Sequence, residues 1–284
     1  PYTEFGVPVP WIRFPEFRHP HPGDVVIFKY PRDTFQKYVK RCIAGPGQTV
    51  RVEGKRVFVD GEEFRLPPRG KFVDDRVFPP SYKQPGIFLR GNGNRDSLGP
   101  VRVPQEGDTI KLTPQTDWDY VIPLMLMDGH EVTLEDKRTG RWFKFTMRDP
   151  NDVARRYMSG LGHRLREWLT GKTGRPGKID RIFKKYYRPG NPTGHLLNIW
   201  NFRFSEEMIT YLRIDGKPVE EVGDYRVAQD YYWMMGDNRD DSADSRYWGF
   251  VPHSLMLGEA LFVYMSWNFK RGVPRFYRIG TVIS

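Results

Sequence analysis

The stretch MGDNRDDSADSRYWGFVP, residues 235–252, carries more of the reading than any other part of the chain. It packs Asp237, Arg239, Asp240, Asp241, Asp244 and Arg246 together with Ser242 and Ser245, between the aromatic runs YYWMM and YWGFVP. An ordinary charged stretch is a solvated loop. Held between side chains that seek the interior, these charges must be paired or hydrogen-bonded, because burying one alone costs several kcal/mol. Asp237 and Arg239 lie two apart, as do Asp244 and Arg246, so in an extended chain each pair points to one side. A calcium loop is excluded. Counted from Asp237 it puts Arg239 at the third ligand position; counted from Asn238 it puts Ala243 where the glycine belongs and Gly249 where the bidentate glutamate belongs.

Outward from this box the chain reads mostly as strands. GDVVIF (23–28) and YVKRCI (38–43) are short β-branched runs, and TVRVEGKRVFVDGEEF (49–64) alternates with turns at Glu53-Gly54 and Asp60-Gly61, which predicts a hairpin. GIFLR (86–90), DTIKL (108–112), YVIPLML (120–126), EVTLED (131–136) and RWFKFTM (141–147) continue the pattern. YLRIDGKPVEE (211–221) is a weak echo of RVFVDGEEF, and residues 259–284 again read as strands. Asn94-Arg95-Asp96-Ser97 echoes Asn238-Arg239-Asp240, a match too short for a repeat, so both read as turns entering a strand. Helix is expected in DPNDVARRYMSGLGHRLREWL (149–169), with Asp149 or Asn151 as cap, and in IDRIFKKYY (179–187). The Pro-rich, aromatic residues 1–22 read as an extended arm packed on a core, or as an apolar edge that dips into a bilayer interface at Trp11.

Composition bounds the partners. With 284 residues and 38% apolar side chains the chain is globular, and 24 Pro with 28 Gly favour short strands and turns. The net charge of +10 points to an anionic partner: nucleic acid, an anionic membrane surface or an acidic protein. Nine Lys or Arg against two acidic residues between Leu161 and Arg188 make a basic centre. No zinc spacing, helix-turn-helix punctuation or RNA-binding aromatic signature accompanies it, so nucleic acid is not the expected partner. A single cysteine, Cys42, excludes an internal disulfide, and no apolar run approaches the length of a membrane-spanning helix.

GDNRDDSADSRYWG (236–249) resembles the most characteristic box of the bacterial type I signal peptidases, the Ser/Lys-dyad serine proteases also called leader peptidases, at all of its characteristic positions. YVKRCIAGPGQTV (38–50) is similar to the family's segment around its catalytic lysine, with Ala44, Gly45 and Gln48 departing from the usual pattern and Lys40-Arg41 intact. PGDVVIF (22–28) resembles the family's RGDVVVF strand with Pro22 in place of Arg, and GFVPHSLMLGEALFVYMSWN (249–268) resembles the strand pair after the last box. The likeness is strong over residues 22–60 and 225–280 and loose between them.

The resemblance implies a mostly-β, two-lobed signal-peptidase-like fold: a catalytic core of residues 1–50 and 228–284, and a cap of residues 51–227 with a helical, basic insertion at about 149–188. Lys40 would be the general base, working as a neutral amine although an ordinary lysine titrates near ~10.4. Ser242 would orient Lys40, while Asp237, Arg239, Asp244 and Arg246 would support the site, Asp244 and Arg246 as a salt bridge. Tyr38 and Val39 would line pockets for the substrate residues before the cut, which the family takes as small at −3 and −1. No metal or organic cofactor is implied. The substrates would be signal peptides of preproteins, met at the outer (periplasmic) face of the bacterial inner membrane. The family's nucleophile lies in a box of the form S-M-x-P-T, and none of the nine serines here has that context. The expectation is a piece of a longer protease that begins after its membrane anchor and nucleophile and is inactive by itself. The alternatives are an inactive relative that keeps the β-fold and a basic nucleic-acid-binding protein.

Overall fold

The structure, a computed structural model, describes residues 18–68, 70–89, 91–136, 141–147, 195–199, 204, 206–260, 267–268, 273–274 and 280–282. It divides into two compact units, one of Pro20–Ile110 with Arg226–Ser284 and one of Pro1–His19 with Lys111–Tyr225.

Among the described residues, ten strands build the two large sheets of the first unit: β1 Val25–Tyr30, β2 Asp33–Ala44, β3 Thr49–Glu53, β4 Arg56–Val59, β5 Glu62–Phe64, β6 Gly93–Asn94, β7 Ser97–Arg102, β8 Tyr231–Met235, β9 Val251–Pro252 and β10 Met256–Glu259. They make two antiparallel five-stranded sheets, ordered β9-β8-β2-β1-β10 and β5-β4-β3-β7-β6. The alternation read in GDVVIF sends Val26 and Phe28 inward, and the register sets Val26 opposite Lys40 and Phe28 opposite Tyr38. Those two join Cys42, Tyr232, Met234, Trp248, Val251 and Met256 in one apolar cluster, with Tyr30 and Tyr38 packed on its side. Burying each large member is worth about 1.5–3 kcal/mol. That cluster is the floor on which Lys40 stands.

The hairpin expected over 49–64 is present as β3 and β4, in register from Val50↔Val59 to Glu53↔Arg56. Residues 51–110 belong to the same compact unit as β1 and β2. The reason is a set of bonds from this stretch to the 235–252 box: Lys71 N–H donates to the Asp237 carbonyl, Phe88 N–H to that of Arg246, and Lys55 pairs with Asp240.

The described residues 86–89 of GIFLR form no strand. Gly86, Leu89 and Gly91 all have left-handed backbone, with φ of 81°, 57° and 81°, which an extended run cannot contain. Its buried Ile87 and Phe88 serve instead as a plug, Phe88 packing on Phe250 at 5.1 Å and Trp233 at 6.1 Å.

In the second unit YVIPLML is also no strand but part of the helix Trp118–Met127, capped by Asp117, whose side chain accepts from the Tyr120 N–H. Its apolar residues run without alternation, a pattern shared by buried helices and buried strands, and the ten-residue length with the aspartate cap decides for helix. A mixed sheet orders His195–Asn198, Arg141–Thr146, Val132–Asp136, Leu212–Ile214 and Lys217–Pro218, the first pair parallel and the others antiparallel. The helices expected at 149–169 and 179–187, and residues 1–17 of the arm, lie outside the described residues. Of the strands expected over 259–284, Trp267–Asn268 pairs antiparallel with Val273–Pro274. Among the described residues no helix is long and apolar enough to cross a membrane.

Candidate active site

Period two along β2 puts Tyr38, Lys40 and Cys42 on the face of the apolar cluster. The Lys40 amine therefore rises from a hydrophobic floor, half-buried and 5.7 Å above the Tyr38 ring. Its Nζ lies 2.7 Å from Ser242 Oγ. Burial is the leading influence on the amine and holds its pKa below the ordinary lysine value; Asp244 and Asp241 pull it back up, and Arg246 pushes it down. Of the carboxylates around it, Asp244 is committed to Arg246 and Asp237 to Arg41, while Asp241 is exposed.

Both commitments arise locally. β8 (YYWMM) is buried along its whole length and ends at Gly236, where the chain leaves the sheet. A Cβ on Gly236 would sit 2.2 Å from Ser242 Oγ and 3.4 Å from Lys40 Nζ, so only glycine lets the loop return this close. Asp237 then takes both Nε and Nη2 of Arg41 at 2.9 Å. Asp244, fully buried, caps the short helix Ser245–Trp248 and takes Arg246 Nε at 2.9 Å and Nη2 at 2.8 Å. Burial alone would push the Asp244 carboxyl up, but the Arg246 guanidinium outweighs it and holds the group below the usual carboxylate range. The Gly236 N–H donates to the second Asp244 oxygen, and Ser245 Oγ accepts from the Met234 N–H, which ties the loop's far end back to β8. What results is an amine with a lowered affinity for protons, held against a hydroxyl and beside two carboxylates that arginines engage. Such an amine can serve as a general base.

Residues 7–122 and 203–267 match the model of a family described as signal peptidase, peptidase S26. The chain belongs to that family. Over 207 residues it is 35% identical to Signal peptidase I of Buchnera aphidicola subsp. Schizaphis graminum, an alignment covering 64% of this chain and 62% of that protein. The chain thus spans less than two thirds of that relative's length. Signal peptidase I of Helicobacter pylori strain J99 is 33% identical over 229 residues, 78% of this chain and 72% of that protein. A crystal structure of a signal peptidase I from Enterococcus faecalis aligns with 86% of this chain and 99% of its own at 13% identity, with a TM-score of 0.28.

In this signal peptidase relative the expected site residues fall as follows. Lys40 and Ser242 meet directly, and Asp244 pairs with Arg246 as the spacing indicated. Asp237 does not pair with Arg239. Its partner is Arg41, because the chain bends at Asp237 and the neighbouring strand offers a guanidinium within reach. Arg239 is buried, gives Nη1 to Met235 Sδ at 3.1 Å, and is held by burial at about 10. Tyr38 lies on the Lys40 face, stacked on Tyr30 at 4.6 Å, while Val39 is on the opposite face and 53% exposed. Sequence reasoning passed over Gly236, Arg41, Lys55 and Arg95. A signal existed for Arg41, which stands directly beside Lys40 in the segment that resembles the family's lysine box.

Proposed function

We propose that this chain supplies the base half of a Ser/Lys endopeptidase that removes N-terminal signal peptides from exported preproteins after small residues at −3 and −1. The observation that carries it is the Lys40 amine, half-buried and 2.7 Å from Ser242 Oγ. A neutral Lys40 would accept the proton of a serine hydroxyl as that oxygen bonds to the scissile carbonyl, then hand it to the amine that leaves with the mature protein. For the second half it would take a proton from water, whose oxygen bonds to the acyl carbon, and return that proton to the serine oxygen as the ester bond breaks. Ser242 keeps the amine aimed and moves no proton of its own. Tyr38 and Val39, one on each face of β2, would flank an extended substrate laid beside that strand. None of the nine serines has the S-M-x-P-T context, so the proposal gives this chain the base and not the nucleophile. The net charge of +10 supports work at an anionic membrane surface, the outer face of the bacterial inner membrane.

The test uses the full-length gene product and a preprotein with an A-x-A site. Lys40→Ala should abolish cleavage while circular dichroism stays unchanged. Lys40→Arg should do the same, since a guanidinium stays protonated and cannot accept the serine proton. Residual turnover in either folded variant near the wild-type rate would refute the assignment of Lys40, and cleavage by residues 1–284 alone would refute the division of roles.

A further inference from the structure

Downstream of Ser242 the loop is held by its own box, through Asp244 and Arg246. Upstream it is held from far away in the chain. Lys55 sits in the turn between β3 and β4 with φ of 73°, a conformation uncommon for lysine, and its N–H donates to the Asp96 carbonyl at 2.8 Å. Its side chain runs inward to Asp240 Oδ1 at 3.3 Å, with the two side chains only 9% and 4% exposed. The same ammonium donates to the Asp74 carbonyl. Asp240 Oδ2 also accepts the backbone N–H groups of Val73 and Asp74, both at 2.8 Å. Arg95 completes the clasp: Nη1 donates to the Asp240 carbonyl at 3.2 Å and Nη2 to the Asp74 carboxylate at 3.2 Å.

A buried ion pair is weak evidence for stability, because an apolar pair of the same volume serves as well. What a buried pair with this many directed bonds does provide is one loop geometry and no other. Between Asp240 and Ser242 stands a single residue, Asp241, so wherever Asp240 is pinned, Ser242 follows.

We propose that Lys55 and Arg95 are positioning residues of this site, holding the 237–241 segment so that Ser242 stays on the Lys40 amine and water stays off it. Both act through the loop. The effect on turnover rests on the Ser/Lys reading above; the effect on Lys40 itself does not.

The experiment therefore measures two things in the full-length protein: the titration of the Lys40 amine, by nitrogen-15 NMR of labelled lysine side chains, and the pH dependence of kcat. In Lys55→Met the loosened loop admits water. Since burial is what chiefly depresses Lys40, its titration should move up towards that of a free lysine. The acid limb of kcat should follow it upward, with a loss of about tenfold at pH values below the limb for each pH unit moved, and KM little changed. Lys55→Arg should restore most of both. Arg95→Met should shift them in the same direction by less, and it serves in place of Lys55→Met should that variant fail to fold. The double variant Lys55→Met/Asp240→Asn carries no uncompensated charge and should keep the upward shift. A wild-type titration of Lys40 in the double variant would show an effect of charge and not of position, and an unmoved titration in folded Lys55→Met and Arg95→Met would end the proposal outright. If Lys40→Ala leaves cleavage intact, the Ser/Lys reading falls by itself while the NMR titration still decides on positioning.

Discussion

Two aspartate–arginine pairs of identical spacing, Asp237 with Arg239 and Asp244 with Arg246, lie in one loop and fold in opposite ways. Asp244 opens a helical turn, so the chain curls and Arg246 swings back onto the carboxylate that caps it. Asp237 lies at a bend two residues past the end of β8 and caps no helix, and Arg41 on β2 captures it with two bonds. Arg239 is left buried beside a methionine sulfur, its Nε without a hydrogen-bond partner. Spacing says which charges share a side; the local backbone says which of them meet. The closed pair is isolated from water, with side-chain exposures of 3% and 0%, whereas the split pair leaves Asp237 at 32%.

That contrast predicts unequal losses. Removing one partner of a fully buried pair strands the other charge, so Asp244→Ala should cost about 3–5 kcal/mol. Asp237→Ala loses two charge-assisted hydrogen bonds at a site water can reach, for about 1.5–3 kcal/mol. Urea unfolding with unchanged m-values would measure both. Equal losses, or a greater one at Asp237, would mean that the closed pair is wetter than its geometry indicates.

Gly236 joins the two pairs, preceding Asp237 and donating its N–H to Asp244. In Gly236→Ala the added methyl group would sit 2.2 Å from Ser242 Oγ, which can rotate away, and 2.7 Å from Ser242 Cβ, which cannot, so the loop backbone must also shift. The stability loss should be about 1–3 kcal/mol. The Lys40 contact goes with the rotation, so preprotein cleavage by the full-length protein should fall by about 10²-fold, the cost of a displacement on the order of 1 Å at a catalytic group. A variant as active as wild type would show that Ser242 need not sit where it does.

How far these features could be read beforehand depends on the range of the interaction behind them. β1, β2 and the β3–β4 hairpin were legible because one face is buried and alternation records it, as in Val26 and Phe28. Lys40, Ser242 and the Asp244–Arg246 pair were legible because they sit inside dense local boxes. Phe88 was misread, since an apolar run shows that a segment is buried but not that Gly86 and Leu89 turn left-handed. Lys55 left no trace at all: in a hairpin turn it looks like any solvated lysine, and its partner Asp240 stands 185 positions away.

The smallest expected effect concerns Lys40 and tests whether burial outweighs the pull of the nearby carboxylates. The folded protein holds this amine below its ordinary pKa, with burial as the leading cause. Between the folded value and the unfolded one, near ~10.4, the unfolded chain binds more protons than the folded one, so stability rises with pH across that window. Below the folded value the penalty for burying the charge is fully present. Lys40→Met keeps most of the volume, removes the charge, and leaves Ser242 half-buried and able to bond water. The variant should therefore be slightly more stable than wild type at pH 7, and its advantage should shrink steadily as pH approaches the ordinary lysine range. Urea midpoints of both proteins taken from pH 7 to about 10 would show the two curves converging. If the pull of Asp244 and Asp241 outweighed burial, Lys40 would be stabilised as a cation, wild type would be the more stable at pH 7, and the gap would run the other way.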